Sequence, residues 1–136
     1  MYSNPFDNLP RQFYTPSSIK EFVQTWLATV CTHNPEAITN LYNYDATLLG
    51  TVAENIKLGR SQIRSYFDYF VQMQPCGRIT SLYINDFGTT AVANGTYTFQ
   101  LMQDGEISEV PARFTFVLVK NGGKWIISTH HSSAQP

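Results

Sequence analysis

Between residues 78 and 133 the chain carries four long runs rich in β-branched and aromatic residues, separated by Asp86-Phe87-Gly88, Asp104-Gly105 and Asn121-Gly122-Gly123. Each connection supplies Gly, Asn or Asp, the residues that accept the positive φ a tight hairpin demands. Strands over 78–85, 89–102, 107–119 and 125–133, joined this closely, are predicted to form one antiparallel meander.

The central turn fixes a register. If Asp104-Gly105 closes as a two-residue hairpin, Thr96 lies opposite Arg113 and Tyr97 opposite Ala112, and side-chain alternation then separates two faces. Ala91, Ala93, Gly95, Tyr97, Phe99, Phe114, Phe116 and Leu118 form one, which reads as core. Asn94, Thr96, Thr98, Arg113, Thr115 and Val117 form the other. An arginine among threonines is either a ligand anchor or part of a subunit interface, and its plainer alternative is a charge pair with Glu106 or Glu109.

Upstream the period changes from two to between three and four. Thr15-Pro16 places a capping hydroxyl before a proline suited to the first helical position, with Ser18-x-x-Glu21 as a capping box. Ile19, Phe22, Val23, Trp26, Leu27 and Val30 then form one apolar stripe. Asn34-Pro35 ends this helix and caps a short second one. A strand follows at Asp45 to Leu49, then a loop over 54–59, then a third helix capped by Ser61 with Ile63, Tyr66, Phe67 and Phe70 inward. Residues 1–15, with Tyr2, Phe6, Leu9, Phe13 and Tyr14 among prolines, are expected to be an arm that packs along the core or on a second subunit. Residues 16–136 are expected to be one domain, an α+β roll with a cavity between the long helix and the concave sheet.

Nine Lys and Arg against ten Asp and Glu leave the chain without the positive field of a nucleic-acid binder. Aromatics make up 14% of residues, which implies a core or cavity walled by rings. Cys31 and Cys76 have neither metal-site nor secreted-scaffold spacing, so both are expected to be reduced thiols. No run is long enough to span a bilayer and no export signal precedes the domain, which makes a cytoplasmic location the expectation.

The last strand passes from Trp125-Ile126-Ile127 into His130-His131-Ser132-Ser133. Adjacent strand residues face opposite ways, so the two histidines cannot converge on one ion, and no metal site is expected. An even loop at 121–123 puts Ser128, His130 and Ser132 on the Arg113 face; an odd one puts Trp125, Ile127, Thr129, His131 and Ser133 there. Trp125 and Ile127 suit the apolar face, which favours His130 beside Arg113 and His131 in the cavity. Asp45 could orient His131 as a general base, against a plainer role in capping a turn.

Leu41-Tyr42, Asp45-Ala46-x-Leu48, Tyr66-Phe67-x-x-Phe70, Gly95-x-Tyr97-x-Phe99, Arg113-Phe114-Thr115-Phe116, and Gly123-Lys124-Trp125 running to His130-His131-Ser132-Ser133 resemble the SnoaL-like branch of the nuclear transport factor 2-like superfamily. Within it the chain looks like small proteins similar to the association domain of calcium/calmodulin-dependent protein kinase II. The resemblance spans residues 17–133 and implies a cone-shaped, cystatin-like α+β barrel, a homodimer or larger ring, and a pocket. Ser132 stands where the kinase hub has arginine, which weakens transfer of its anion binding. The function expected is a dimeric binding or assembly module for a small, partly apolar carboxylate or carbonyl compound. Arg113, His131, His130, Tyr97, Tyr66, Trp26, Thr115 and Ser133 are its candidate ligand residues. The alternative is a cofactor-independent isomerase, cyclase or hydratase using His131, His130 or Asp45. Neither reading calls for a cofactor, nucleic acid or membrane.

Overall fold

The computed structural model describes residues 16–136. The arm over 1–15 and the capping hydroxyl of Thr15 lie outside them. Helix α1 (Pro16–Val30) begins at the predicted proline and buries Ile19, Val23, Trp26, Leu27 and Val30. In α2 (Pro35–Thr39) the Asn34 side chain accepts from the amides of Glu36 and Ala37 at 3.1 and 3.2 Å, the cap its sequence foretells.

Strand β1 (Tyr42–Leu49) starts three residues earlier than expected, and the following loop contains a two-residue strand, β2 (Lys57–Leu58). Helix α3 (Gly59–Phe70) begins at Gly59, so Ser61 sits inside it rather than capping it. The Gln62 side chain instead accepts from the Leu58 amide at 2.8 Å. Ile63, Tyr66, Phe67 and Phe70 face inward as their spacing requires. A short 3₁₀ turn, Val71–Met73, leads into the meander: β3 (Cys76–Asp86), β4 (Thr90–Gln103), β5 (Glu106–Asn121) and β6 (Lys124–Ala134).

The six strands form one mixed sheet in the order β2-β1-β6-β5-β4-β3. The β4–β5 register is the predicted one, with Thr96 opposite Arg113 and Tyr97 opposite Ala112. Asp104 and Gly105 both take positive φ (52° and 79°), the conformation of a two-residue hairpin that keeps the twist of its strands. Beyond the meander, β1 pairs parallel with β6, setting Leu48 beside His130 and Leu49 beside His131. Helices α1 and α3 cover the concave face, where rings stack tightly: Tyr97 lies on Phe114 with centroids 4.5 Å apart and on Trp26 at 5.8 Å. Burying each such side chain contributes roughly 1.5–3 kcal/mol.

Cys31 and Cys76 are joined in a disulfide across 45 residues, which corrects the expectation of two reduced thiols. Sequence spacing did not reveal it because the bond links the end of α1 to the start of β3, segments that only helix-on-sheet packing brings together. Among the described residues no helix is long and apolar enough to cross a membrane.

Candidate functional site

The last hairpin closes through Gly122-Gly123, pairing Lys120 with Trp125 and Leu118 with Ile127 on the even register. Between Ile127 and Thr129 the register slips by one residue, leaving Ser128 as a bulge; Val117 then pairs with Thr129, Phe116 with His130 and Arg113 with Ser133. A bulge lets two consecutive residues oppose one and reverses the alternation beyond it. His130 therefore enters the core and His131 the outer face, the opposite of the expected assignment. Ile127 and His130 are both buried on the concave side, which simple alternation forbids.

His130 is 2% exposed and held at both ring nitrogens. The Trp26 indole N–H donates to the Tyr42 hydroxyl at 3.1 Å, and that hydroxyl lies 2.8 Å from His130 Nδ1. His130 Nε2 lies 3.2 Å from the Tyr97 hydroxyl, which donates to Ser132 Oγ at 2.6 Å. Ser132 Oγ is in turn 2.6 Å from Thr51 Oγ1. The proton positions follow from the bonds. Tyr97 has spent its hydrogen on Ser132, so Nε2–H must be the donor to Tyr97. The neutral ring then accepts at Nδ1 from Tyr42, whose remaining lone pair takes the Trp26 N–H, a group that can only donate.

Burial, with a smaller contribution from neighbouring His131, pushes the His130 imidazole down to about 3. Phe116 stacks on its ring at 4.0 Å and Trp26 meets it edge-on at 5.0 Å. Burial likewise raises the Tyr42, Tyr66 and Tyr97 hydroxyls, so all three stay protonated near neutral pH. At Tyr66 the backbone amides of Val52 and Thr51 act in the opposite direction, as donors to its oxygen.

This relay runs along a narrow cavity of about 30 Å³ whose walls come from α1, α3, β1 and the inner sheet, with no charged side chain among them. At its polar end the cavity shares Gly50, Thr51 and Ser132 with an open cleft of about 270 Å³, which is lined further by Glu54, His131 and Ser133. The shared wall is Ser132 of β6 with the segment over 50–56, which lies outside any helix or strand. Gly50 is needed there: a Cβ would stand 2.6 Å from the Tyr66 ring.

Of the predicted site residues, Trp26, Tyr66, Tyr97 and His130 converge on the cavity. Arg113, Thr115 and Ser133 stand on the convex face, so the carboxylate contact expected at Arg113 is not available inside. Arg113 is exposed, with Ser133 Oγ at 3.5 Å. Glu109, its suggested charge partner, pairs with Arg78 at 3.4 Å. His131 is exposed in the outer cleft. Asp45 is exposed within β1 and accepts from Asn43 at 2.8 Å rather than capping a turn; Leu49, four residues further on, is the residue paired with His131. Tyr42, Thr51 and Ser132 were missed as site residues. Their hydroxyl-bearing types are too common to signal a relay, and Tyr42 reads as ordinary core. Among the described residues no group of three His, Cys, Asp or Glu could hold a metal ion.

A six-stranded cone with an enclosed, ring-lined cavity defines the class of cystatin-like, nuclear transport factor 2-like domains, and solved structures of that class superimpose on it. An NTF2-like protein with a cystatin-like fold from Novosphingobium aromaticivorans matches with a TM-score of 0.72 and 14% identity, over 85% of this chain and 79% of its own. An epoxide hydrolase/cyclase-like enzyme, SalBIII, of pyran ring formation in the polyether salinomycin matches with a TM-score of 0.67 and 18% identity, over 88% of this chain and 92% of its own. At that identity the likeness is one of fold.

Within the class, residues 16–136 match the calcium/calmodulin dependent protein kinase II association domain, and the chain belongs to that family. A protein of Xanthomonas campestris assigned to the same domain is 38% identical, with a TM-score of 0.85 over 90% of this chain and 96% of its own. Among curated proteins none matches.

Proposed function

We propose that the chain is a self-associating module that binds a small, largely apolar molecule in the cone. The observation that carries this reading is the cavity: ring-walled, without charge, and closed at one end by a relay whose members bond one another. A cavity of about 30 Å³ is far below the roughly 300–1,000 Å³ of ligand pockets. Displacing the 50–56 segment would merge it with the adjoining cleft and bring the joint volume to the lower end of that range. Binding is thus read as entry through the Thr51 wall.

Binding is favoured over general-base catalysis because the lone pair of His130 is already taken by Tyr42 and its N–H by Tyr97. A base must reach its substrate's proton with a free lone pair. Methyl-resolved NMR tests the reading. Titration with small apolar compounds should shift Leu48, Val52, Leu101 and Val110, which line the cavity, and leave Val117 and Val119 unmoved. No shift with any compound overturns it.

For self-association, the support is membership of an association-domain family and an outer sheet face that presents Tyr83, 67% exposed, with Arg113 and Thr115. A homodimer or larger ring is expected by light scattering, and a monomer at micromolar concentration refutes it. The Cys31–Cys76 bond supports an oxidising compartment over the expected cytoplasm.

A further inference from the structure

The relay is polarised, and its polarity selects a ligand. Trp26, Tyr42, His130, Tyr97, Ser132 and Thr51 together bring six polar hydrogens, but the chain they form contains five hydrogen bonds. Tyr97 donates to Ser132, which orients His130 toward Tyr97 and Tyr42 toward His130, so each bond from Trp26 onward points toward the far end. One hydroxyl hydrogen is therefore left over on the Ser132–Thr51 pair, at the wall where cavity and cleft meet. The Tyr66 hydroxyl stands beside the same wall, against Gly50, and also lines the cavity. Hydroxyl groups of Thr51, Ser132 and Tyr66 thus line one end of the cavity, whose own walls carry neither a carboxylate nor a cation; Glu54 stands in the cleft beyond.

We propose that this spot is a recognition site for an uncharged acceptor oxygen, of the carbonyl class, carried on an apolar body. Thr51, Ser132 and Tyr66 are its specificity-determining residues. A ligand oxygen at this half-buried wall gains a hydrogen bond that a hydrocarbon cannot make. A carboxylate would lose its hydration without meeting a positive charge, and an ammonium group would meet donors instead of acceptors. The inference rests on the binding reading above and refines it from carboxylate or carbonyl to carbonyl.

Calorimetric titration of the full chain with four matched probes tests it: cyclohexanone, methylenecyclohexane, cyclohexanecarboxylate and cyclohexylammonium. Cyclohexanone should bind at least tenfold more tightly than methylenecyclohexane, and the two charged probes should bind more weakly than either. Thr51→Val together with Tyr66→Phe should shrink the ketone preference by at least threefold, whereas Thr51→Ser should keep it. Equal affinity for ketone and hydrocarbon in the natural sequence, or tighter carboxylate or ammonium binding, overturns the carbonyl assignment while leaving the pocket. Failure of all four to bind overturns the binding reading itself. The comparison among probes needs no variant, so it stands even if a substitution unfolds the chain.

Discussion

Tyr42 and His130, 88 residues apart, meet at 2.8 Å in the core, and the tyrosine hydroxyl occupies the nitrogen lone pair that a general base would need. That contact exists because β1 lies parallel to β6 and because a bulge at Ser128 turns His130 inward. It joins the sheet edge to the helix through Trp26 and makes the histidine a structural relay.

The relay gives stability a pH dependence. Unfolded histidine titrates near 6.5 and folded His130 near 3, so between these values the unfolded chain binds the extra proton. Stability is full above about pH 6.5 and falls as pH drops through the window, by at most about 1.4 kcal/mol per pH unit from this group. Denaturant unfolding between pH 7 and 5 measures the slope, and His130→Gln should remove it. An unchanged slope in the variant would show that another group is responsible.

Arg113→Ala should leave binding of small neutral ligands within about twofold, since the side chain is on the convex face; a loss of only surface contacts typically stays within about 0.5 kcal/mol. Calorimetry with cyclohexanone is the check, and abolished binding would move the site to the other side of the sheet.

The Cys31–Cys76 bond closes a loop of 45 residues, and its removal in the chain-entropy account costs up to about 4 kcal/mol. Purified protein should take up no alkylating reagent until reduced, then two equivalents by mass. The Cys31→Ser, Cys76→Ser double variant should melt well below the oxidised chain. Two reactive thiols in unreduced protein would contradict the bond.

At Gly95 the register shift in β3 brings the Ser81 carbonyl over the strand, and a Cβ there would collide with that oxygen and lie 2.9 Å from the Phe114 ring. Gly95→Ala should therefore destabilise by more than about 2 kcal/mol or prevent folding, even though alanine suits a strand better than glycine elsewhere. A neutral effect on the melting temperature would sink the argument.

Local chemistry settled a good deal from the sequence alone. Proline and asparagine placed α1 and α2, apolar spacing chose the inner face of α3, and Asp104-Gly105 fixed the β4–β5 register and with it the Tyr97 and Phe114 wall. These signals act within a turn or across one hairpin, where neighbours in sequence are neighbours in space. Tertiary structure alone decided what depends on distant segments. The parallel β1–β6 pairing has no local signature, and neither does the Cys31–Cys76 contact. A one-residue bulge at Ser128, invisible in composition, reversed the faces of His130 and His131 and put His131 instead of His130 on the Arg113 side. Side-chain direction in a strand has a period of two, so a single slipped residue reassigns every group beyond it, and the site lies beyond it.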